Sequence, residues 1–310
     1  MASIYWLAMP AAPASRLPID AVAQEHLMRR LARVEGAPWL HQEVARRMAD
    51  RLKLFRDQPS DWIDWWGALA GGATAVAAVL PRSRRLVVEP SDEWVLRSRQ
   101  LARGPWWSIL GRGPAQQRIG LVADASPAQA SMVWANMMLH LCPNPPGCMA
   151  QWHAALKVGG ILMFSTLGPD SLRELRALYA EQGWPAPHAP FTDMHDIGDQ
   201  LVHSGFADPV MDQERIVLNW SSPQAMLTEM RTMGANLSPT RPPGLHTPRW
   251  LARLRDALAQ RADAQGRIHL SFEVVYGHAF KAMPKVARDD AVTISLESLR
   301  SKLGVERLDP

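Results

Sequence analysis

A short apolar segment that runs into small residues is the feature that most constrains how this chain folds. Residues 62–64 have the character of a strand that ends in Asp64, the following turn holds Gly67, Gly71 and Gly72, and residues 73–80 are an alanine-rich sequence that favours a helix. A strand, a tight turn and a helix in this order open the ligand crevice of an α/β sheet. Glycine is needed in such a turn where φ is positive or where the backbone approaches a ligand. The segment therefore predicts an α/β sheet with a binding crevice beyond its first strand.

A second apolar segment ends in a carboxylate. Residues 85–90, beyond Pro81, are typical of a buried strand, and Glu89 lies near its end. This position is about 20 residues beyond the turn, where an acid accepts both ribose hydroxyls in nucleotide-binding α/β proteins. An ordinary strand-helix-strand unit with an incidental glutamate has the same spacing. Both interpretations remain open from these residues alone.

The sequence downstream carries a more specific resemblance. Residues 131–136, a helical stretch to Leu156 and the segment 157–166, with Gly159 and Gly160, resemble the fourth strand, helix, glycine turn and fifth strand of class I S-adenosylmethionine-dependent methyltransferases. Residues 133–146, 164–176, 191–212 and 271–280 together look like the BioC family, the malonyl-acyl-carrier-protein O-methyltransferases of biotin synthesis. The resemblance extends over residues 40–281 in segment order.

The resemblance implies an α/β, Rossmann-like class I methyltransferase fold, with a seven-stranded, mostly parallel sheet and helices on both faces. N-terminal helices and a helical lid insertion would be added to it. We expect a tail and helical segment at 1–58, a cofactor-binding core at 59–220, a lid at 221–264, a last core strand at 265–283 and a C-terminal tail at 284–310. The chain has 310 residues and 47% apolar content, which is enough to bury a large core.

The same resemblance implies S-adenosyl-L-methionine as the methyl donor. The predicted cofactor contacts are Asp64, Gly67, Gly71, Glu89, Asp124, Trp134 and Asn136. Asp124 is the candidate for the adenine side, and Trp134 and Asn136 lie at the end of the fourth strand, at the sheet edge where α/β proteins bind ligands. A buried asparagine that is fully hydrogen-bonded within the protein is the competing explanation for Asn136.

The glycine turn departs from the family pattern. An ungapped alignment places Trp66, Ala68 and Ala70 where the family has glycines, and each added side chain takes space from the cofactor. A shift of one residue would use Gly67 and Gly71 instead. The departure leaves two alternatives to an active methyltransferase: a catalytically silent binding or assembly protein of the same fold, and a hydroxylase-type relative of the kind known in respiratory complex I assembly.

Methylation of a carboxylate needs few catalytic side chains, because the ionised acid is itself the nucleophile. The protein must supply proximity, alignment and exclusion of water, so we expect neither a catalytic triad nor a metal site. Candidates for positioning the substrate are Arg231, Arg173 and Tyr179, of which Arg231 matches a basic position of the family. A surface ion pair is the competing explanation for each arginine.

Charge and cysteine content bear on partners and compartment. The formal net charge is +4, and arginines cluster between residues 29 and 51. The cluster indicates either a solvated helix face or a docking surface for an acidic acyl-carrier protein, with an acyl-CoA as the alternative substrate. No recognition motif predicts nucleic-acid binding. Two cysteines, and a short apolar N-terminal stretch without a basic region, favour a cytoplasmic protein without a membrane partner.

Overall fold

The computed structural model describes residues 19–102, 117–244 and 247–282. Residues 1–18 of the predicted N-terminal segment and the predicted C-terminal tail at 284–310 lie outside these ranges. None of the helices in the described ranges is long and apolar enough to cross a membrane.

Seven strands form a single sheet. They are β1 (Asp61–Trp65), β2 (Arg84–Glu89), β3 (Gln117–Leu121), β4 (Ala130–Ala135), β5 (Leu156–Leu167), β6 (Phe206–Trp220) and β7 (Ile268–Lys281). Their spatial order is β3-β2-β1-β4-β5-β7-β6. The first five strands pair in parallel, whereas β7 runs antiparallel between β5 and β6. The predicted seven-stranded, mostly parallel α/β sheet is confirmed.

The helices connect these strands. Two precede the sheet, α1 (Ala21–Leu31) and α2 (Trp39–Leu52); those between β1 and β5 are α3 (Gly67–Ala70), α4 (Ala73–Val79), α5 (Asp92–Ala102) and α6 (Pro145–Ala155). Those beyond β5 are α7 (Arg173–Glu181), α8 (Met194–His203), α9 (Pro223–Met233) and α10 (Pro248–Ala259). Side chains accept hydrogen bonds from first-turn amides and so fix where several helices begin, as Asp20 does for α1 and Thr247 for α10. Helices α9 and α10 lie between β6 and β7, within the predicted lid.

The central strands are apolar because both faces of the sheet are covered. All five residues of β1 are buried. Along β4, Val133 and Ala135 belong to one core, whereas Met132 and Trp134 belong to the core on the opposite face. Because β1 pairs in parallel with both β2 and β4, the carboxyl ends of these three strands lie at one edge of the sheet, where most of the predicted cofactor contacts lie.

Candidate functional site

The turn after β1 is more compact than the sequence predicts. Trp66 adopts a left-handed conformation with φ of 55°, and its N–H donates to the Val88 carbonyl at 2.8 Å. The next four residues then form the helical turn α3, which ends at Gly71 with φ of 69°. The Trp66 indole is buried in the same core as Leu27 and Trp94. Burial of this side chain offsets the cost of about 1–2 kcal/mol that a positive φ imposes on a residue with a Cβ.

The glycines of the turn allow the backbone to pass close to other groups of the chain. A Cβ at Gly67 would lie 2.8 Å from the Asp64 carboxyl, and one at Gly71 would lie 2.5 Å from the Ala37 Cβ. These approaches are too short for any other residue. In the described conformation both glycines are thus required by contacts within the protein.

Glu89, at the end of β2, is hydrogen-bonded to the turn itself. Its Oε1 accepts from the Ala68 N–H at 2.8 Å and from the Ser98 hydroxyl at 2.5 Å. Its Oε2 is buried without a hydrogen-bond partner. Burial raises the pKa of Glu89 to about 8, although the bonds from Ser98 and Ala68 oppose the rise. At neutral pH the carboxyl is therefore mostly protonated while the turn covers it.

Asp64 is paired with the neighbouring strand. Its Oδ2 accepts from the Arg85 guanidinium, at 2.9 Å from Nε and 2.5 Å from Nη2, and its Oδ1 has no partner. Burial raises the pKa of Asp64, and the charge and hydrogen bonds of Arg85 oppose that rise. This carboxylate is held by an ion pair within the protein.

Asn136, just beyond β4, joins the turn to α2. Its Nδ2 donates to the carbonyls of Ala70 at 2.6 Å and His41 at 2.9 Å, and its Oδ1 accepts from the Ser165 hydroxyl at 2.7 Å. The His41 Nδ1–H donates to the Leu69 carbonyl at 3.1 Å, since a carbonyl can only accept, and burial lowers the pKa of His41 to about 4. This is the arrangement of a buried, hydrogen-bonded asparagine.

The remaining predicted contacts lie at two depths. Trp134 packs edge-on against Trp62, with 6.5 Å between ring centroids, and its Nε1 is buried without a partner. Asp124 is exposed beyond β3, where its Oδ2 accepts from the Leu121 N–H at 2.7 Å. Four predicted contacts have 0% exposed surface: Asp64, Glu89, Trp134 and Asn136. The structure thus gathers them beneath the turn and leaves Asp124 at the neighbouring edge.

A separate cavity lies between the sheet and the helices inserted before β7. Its volume is about 380 Å³, and its walls are mostly apolar side chains from α7, α9, α10 and the end of β5. Tyr179 and Arg231 line this cavity. Arg173 is not among its lining residues and pairs with Glu174 at 3.2 Å. Two of the three predicted substrate-positioning residues therefore share one pocket.

Arg231 is the exposed cation of this cavity. It makes no hydrogen bond or ion pair with any other residue in the described ranges. Arg30 approaches the same region, because its Nη2 donates to the Gly234 carbonyl at 2.8 Å. Burial and the nearby charge of Arg231 lower the pKa of Arg30. A cavity rim with an unpaired guanidinium suits an anionic ligand.

Two residues that shape these sites, Ser98 and Arg85, are not predicted from the sequence. They hold the two buried carboxyls, whereas His140, which follows β4, lines the cavity with its pKa lowered to about 3 by burial. A signal existed for Arg85, since an arginine at the start of an apolar strand, next in sequence to the strand with Asp64, indicates a pair. Ser98 carries no comparable sequence signal.

The clustered cations of α2 are largely neutralised by neighbours. Arg46 pairs with Glu43 at 2.7 Å, and Arg51 pairs with Asp212 at 2.7 Å. Arg47 bridges Glu43 and Glu214. The ion pairs with Asp212 and Glu214 link α2 to β6. Of the two predicted alternatives, they agree better with a solvated helix face than with a docking surface of unpaired cations.

Comparisons with known proteins add the family. No protein-family model matches the chain. The chain is 34% identical over 281 residues to a malonyl-[acyl-carrier protein] O-methyltransferase of Gallionella capsiferriformans, and the aligned region covers 89% of this chain and 96% of that protein. It is 36% identical over 268 residues to the protein of that name from Laribacter hongkongensis, and here the aligned region covers 84% of this chain and 90% of the relative.

Solved structures agree on the fold. The YcgJ protein of Bacillus subtilis superposes with a TM-score of 0.52 at 10% identity, covering 78% of this chain and 99% of that one. The [4+2]-cyclase SpnF superposes with a TM-score of 0.50 at 14% identity, covering 88% of this chain and 100% of that one. Because SpnF is a cyclase, the shared fold does not define a reaction. The close relatives do define the family, and the resemblance found in the sequence is confirmed: the chain belongs to the malonyl-[acyl-carrier protein] O-methyltransferase family.

Proposed function

We propose that this chain is an S-adenosylmethionine-dependent methyltransferase that esterifies the free carboxylate of a malonyl group on an acyl-carrier protein, in biotin precursor synthesis. The near full-length relatives carry that name. The observation that carries the proposal is the apolar cavity of about 380 Å³, which contains one unpaired guanidinium, that of Arg231. Such a pocket takes an acyl group with one anionic end.

The cavity residues suit a carboxylate nucleophile. Arg231 offers an N–H fork that can orient the acid at the rim of the cavity, and the walls beyond it are mostly apolar. Burial raises the pKa of Tyr179 to about 12, so its hydroxyl stays protonated and can donate a hydrogen bond. Burial keeps His140 neutral at pH 7, so it adds no second charge. No general base is required, because the acid is already ionised.

The fit of the proposed methyl donor is incomplete in the described conformation. An acid at the end of β2 with an unpartnered Oε2 suits a ribose hydroxyl. Glu89 itself is fully enclosed, and its Oε1 already accepts from Ala68 and Ser98. A cavity of about 440 Å³ lies against the turn and is lined by Gly67, Gly71 and Ser98, but a contact between Glu89 and the cofactor requires the turn to move.

Methyl transfer can be tested by intact-mass spectrometry of the product. The purified chain is incubated with S-adenosylmethionine and malonyl-acyl-carrier protein, and we expect the carrier to gain the mass of one methylene unit. Acetyl-acyl-carrier protein, which lacks a free carboxylate, is the matched control and stays unchanged. Malonyl-CoA in parallel distinguishes the two carriers. A folded sample that binds the cofactor but forms no malonyl ester contradicts the proposed function.

Substitution of Arg231 tests the substrate position. We expect Arg231→Gln to raise KM for the malonyl thioester roughly 10- to 100-fold, the equivalent of a lost charge-assisted hydrogen bond. The free energy of unfolding should hardly change, because Arg231 is exposed and makes no ion pair within the described ranges. Arg173→Gln is the control, since Arg173 pairs with Glu174 outside the cavity. Equal effects of the two substitutions on KM would exclude the assigned role.

A further inference from the structure

We propose that the turn at residues 66–72 is a gate that shuts the adenosine crevice of the unliganded chain by binding Glu89, and that the cofactor enters only when the turn releases this carboxyl. The inference rests on the proposed function and adds a regulated step to its cofactor site. It explains why an acid in the position of a ribose acceptor is enclosed.

The first element of the gate is a contact between the turn and the acid. The Ala68 N–H donates to Glu89 at 2.8 Å, and Ser98 donates to the same oxygen from α5. A ribose needs both carboxylate oxygens to receive its two hydroxyl groups. It must therefore displace Ala68 from Oε1, and only Oε2 is free of a partner beforehand.

The second element is the set of contacts that hold the turn down. The Trp66 side chain is buried, and its N–H donates to Val88. His41 donates to the Leu69 carbonyl, and Asn136 donates to the Ala70 carbonyl. These contacts anchor each end of α3 to a different part of the protein. Polar side chains of three other parts of the protein thus bond three consecutive residues of the closed turn, Ala68, Leu69 and Ala70.

The closed state also carries costs that favour release. Trp66 has a positive φ, which is unfavourable for a residue with a Cβ. The Oε2 atom of Glu89 is a buried polar atom without a hydrogen-bond partner among the described residues. A ribose hydroxyl would supply such a partner. The anchoring contacts favour the closed turn, whereas these costs favour the open turn. Such opposing effects are what an element with two conformations of similar free energy requires.

Charges around the acid couple the gate to pH. Glu89 interacts electrostatically with Asp64 of β1, Arg85 of its own strand and Arg97 of α5, and the turn contributes no titratable group. Enclosure raises the pKa of Glu89 from 4.5 to about 8, and exposure in an open crevice returns it toward 4.5. Between pH 4.5 and about pH 8 the closed state binds more protons than the open state, so the closed state becomes less stable relative to the open state as pH rises. Cofactor affinity should rise with pH by up to about tenfold per unit.

The gate is tested by binding of S-adenosylhomocysteine to turn variants, measured by calorimetry, together with hydrogen exchange of residues 62–72. Trp66→Gly removes the buried anchor of the closed turn, and this loss of burial outweighs the positive-φ cost that glycine also relieves, so we expect it to bind at least about tenfold more tightly than the wild-type chain, with faster exchange of the free protein. Trp66→Phe keeps a large apolar anchor and a Cβ, and should bind like the wild type.

His41→Phe gives a second test should Trp66→Gly not fold. It keeps a ring but removes the donor that holds the Leu69 carbonyl in the closed turn, so affinity should again increase. Equal affinities for all four proteins, free exchange of the unliganded wild-type turn, or no binding by any folded variant would overturn the gate. Tight binding by Trp66→Gly without formation of malonyl ester leaves the gate intact and contradicts the proposed function, so the two failures are distinguishable.

Discussion

Replacement of Asn136 by alanine is expected to lower the free energy of unfolding by about 3–5 kcal/mol. The substitution leaves the Ala70 carbonyl, the His41 carbonyl and the Ser165 hydroxyl without their partner in a fully buried site. Each buried polar group without a partner costs about 1–3 kcal/mol, and relaxation recovers part of the sum. Urea denaturation at neutral pH measures the change.

Two further substitutions separate the contacts of this asparagine. Asn136→Asp keeps the shape but places an acceptor against two carbonyls, so it should destabilise the protein at least as much. Ser165→Ala keeps both amide bonds to the carbonyls and should cost only about 1–3 kcal/mol, because the Met137 N–H that loses this hydroxyl still donates to the Ser165 carbonyl at 3.0 Å. A loss below about 1 kcal/mol in Asn136→Ala would show that the side chain does not hold the turn.

Replacement of Arg85 by methionine should have the second large effect. Asp64 would keep a buried carboxylate without its cation, which costs about 3–5 kcal/mol, whereas methionine retains most of the arginine stem. The double variant Asp64→Asn, Arg85→Met removes both charges and should recover much of that loss.

The loss in Arg85→Met should depend on pH. Burial raises the pKa of Asp64, and without Arg85 nothing on the neighbouring strand opposes that rise. The folded variant then favours the neutral acid, so its deficit is largest at high pH and shrinks as pH falls through the raised pKa. Denaturation of both chains at about pH 7 and about pH 5 gives the comparison. A deficit that is independent of pH would mean that loss of Arg85 does not change proton binding by Asp64, and would contradict the further rise of its pKa.

The sequence predicts the sheet well because its strands are long apolar segments that the family resemblance places in order. Burial on both faces makes β1 and β4 almost continuously apolar, so they are found without tertiary information. The conformation of the turn, in contrast to the strands, is not predicted by the sequence. A tryptophan at positive φ is rare, and nothing local indicates that Trp66 adopts it or that α3 forms beyond it.

The contacts of the candidate site depend on residues far apart in sequence. The sequence shows that Ala68 stands where the family has a glycine. It does not show the hydrogen bond from the Ala68 N–H to Glu89, because that bond depends on how the turn folds. His41 approaches the turn from α2 and Ser98 from α5, and neither position follows from spacing. Arg231 was identified through the family pattern, whereas its place in the cavity depends on how α9 packs.

The most direct measurement is a calorimetric titration of the wild-type chain with S-adenosylhomocysteine at several pH values between about 6 and 9. If the turn shuts a functional adenosine crevice, binding at one site tightens as pH rises toward about 8, where Glu89 loses its proton, and becomes constant above it. A constant affinity across the whole range would contradict the closed turn, and an absence of binding at every pH in a folded sample would contradict the cofactor assignment.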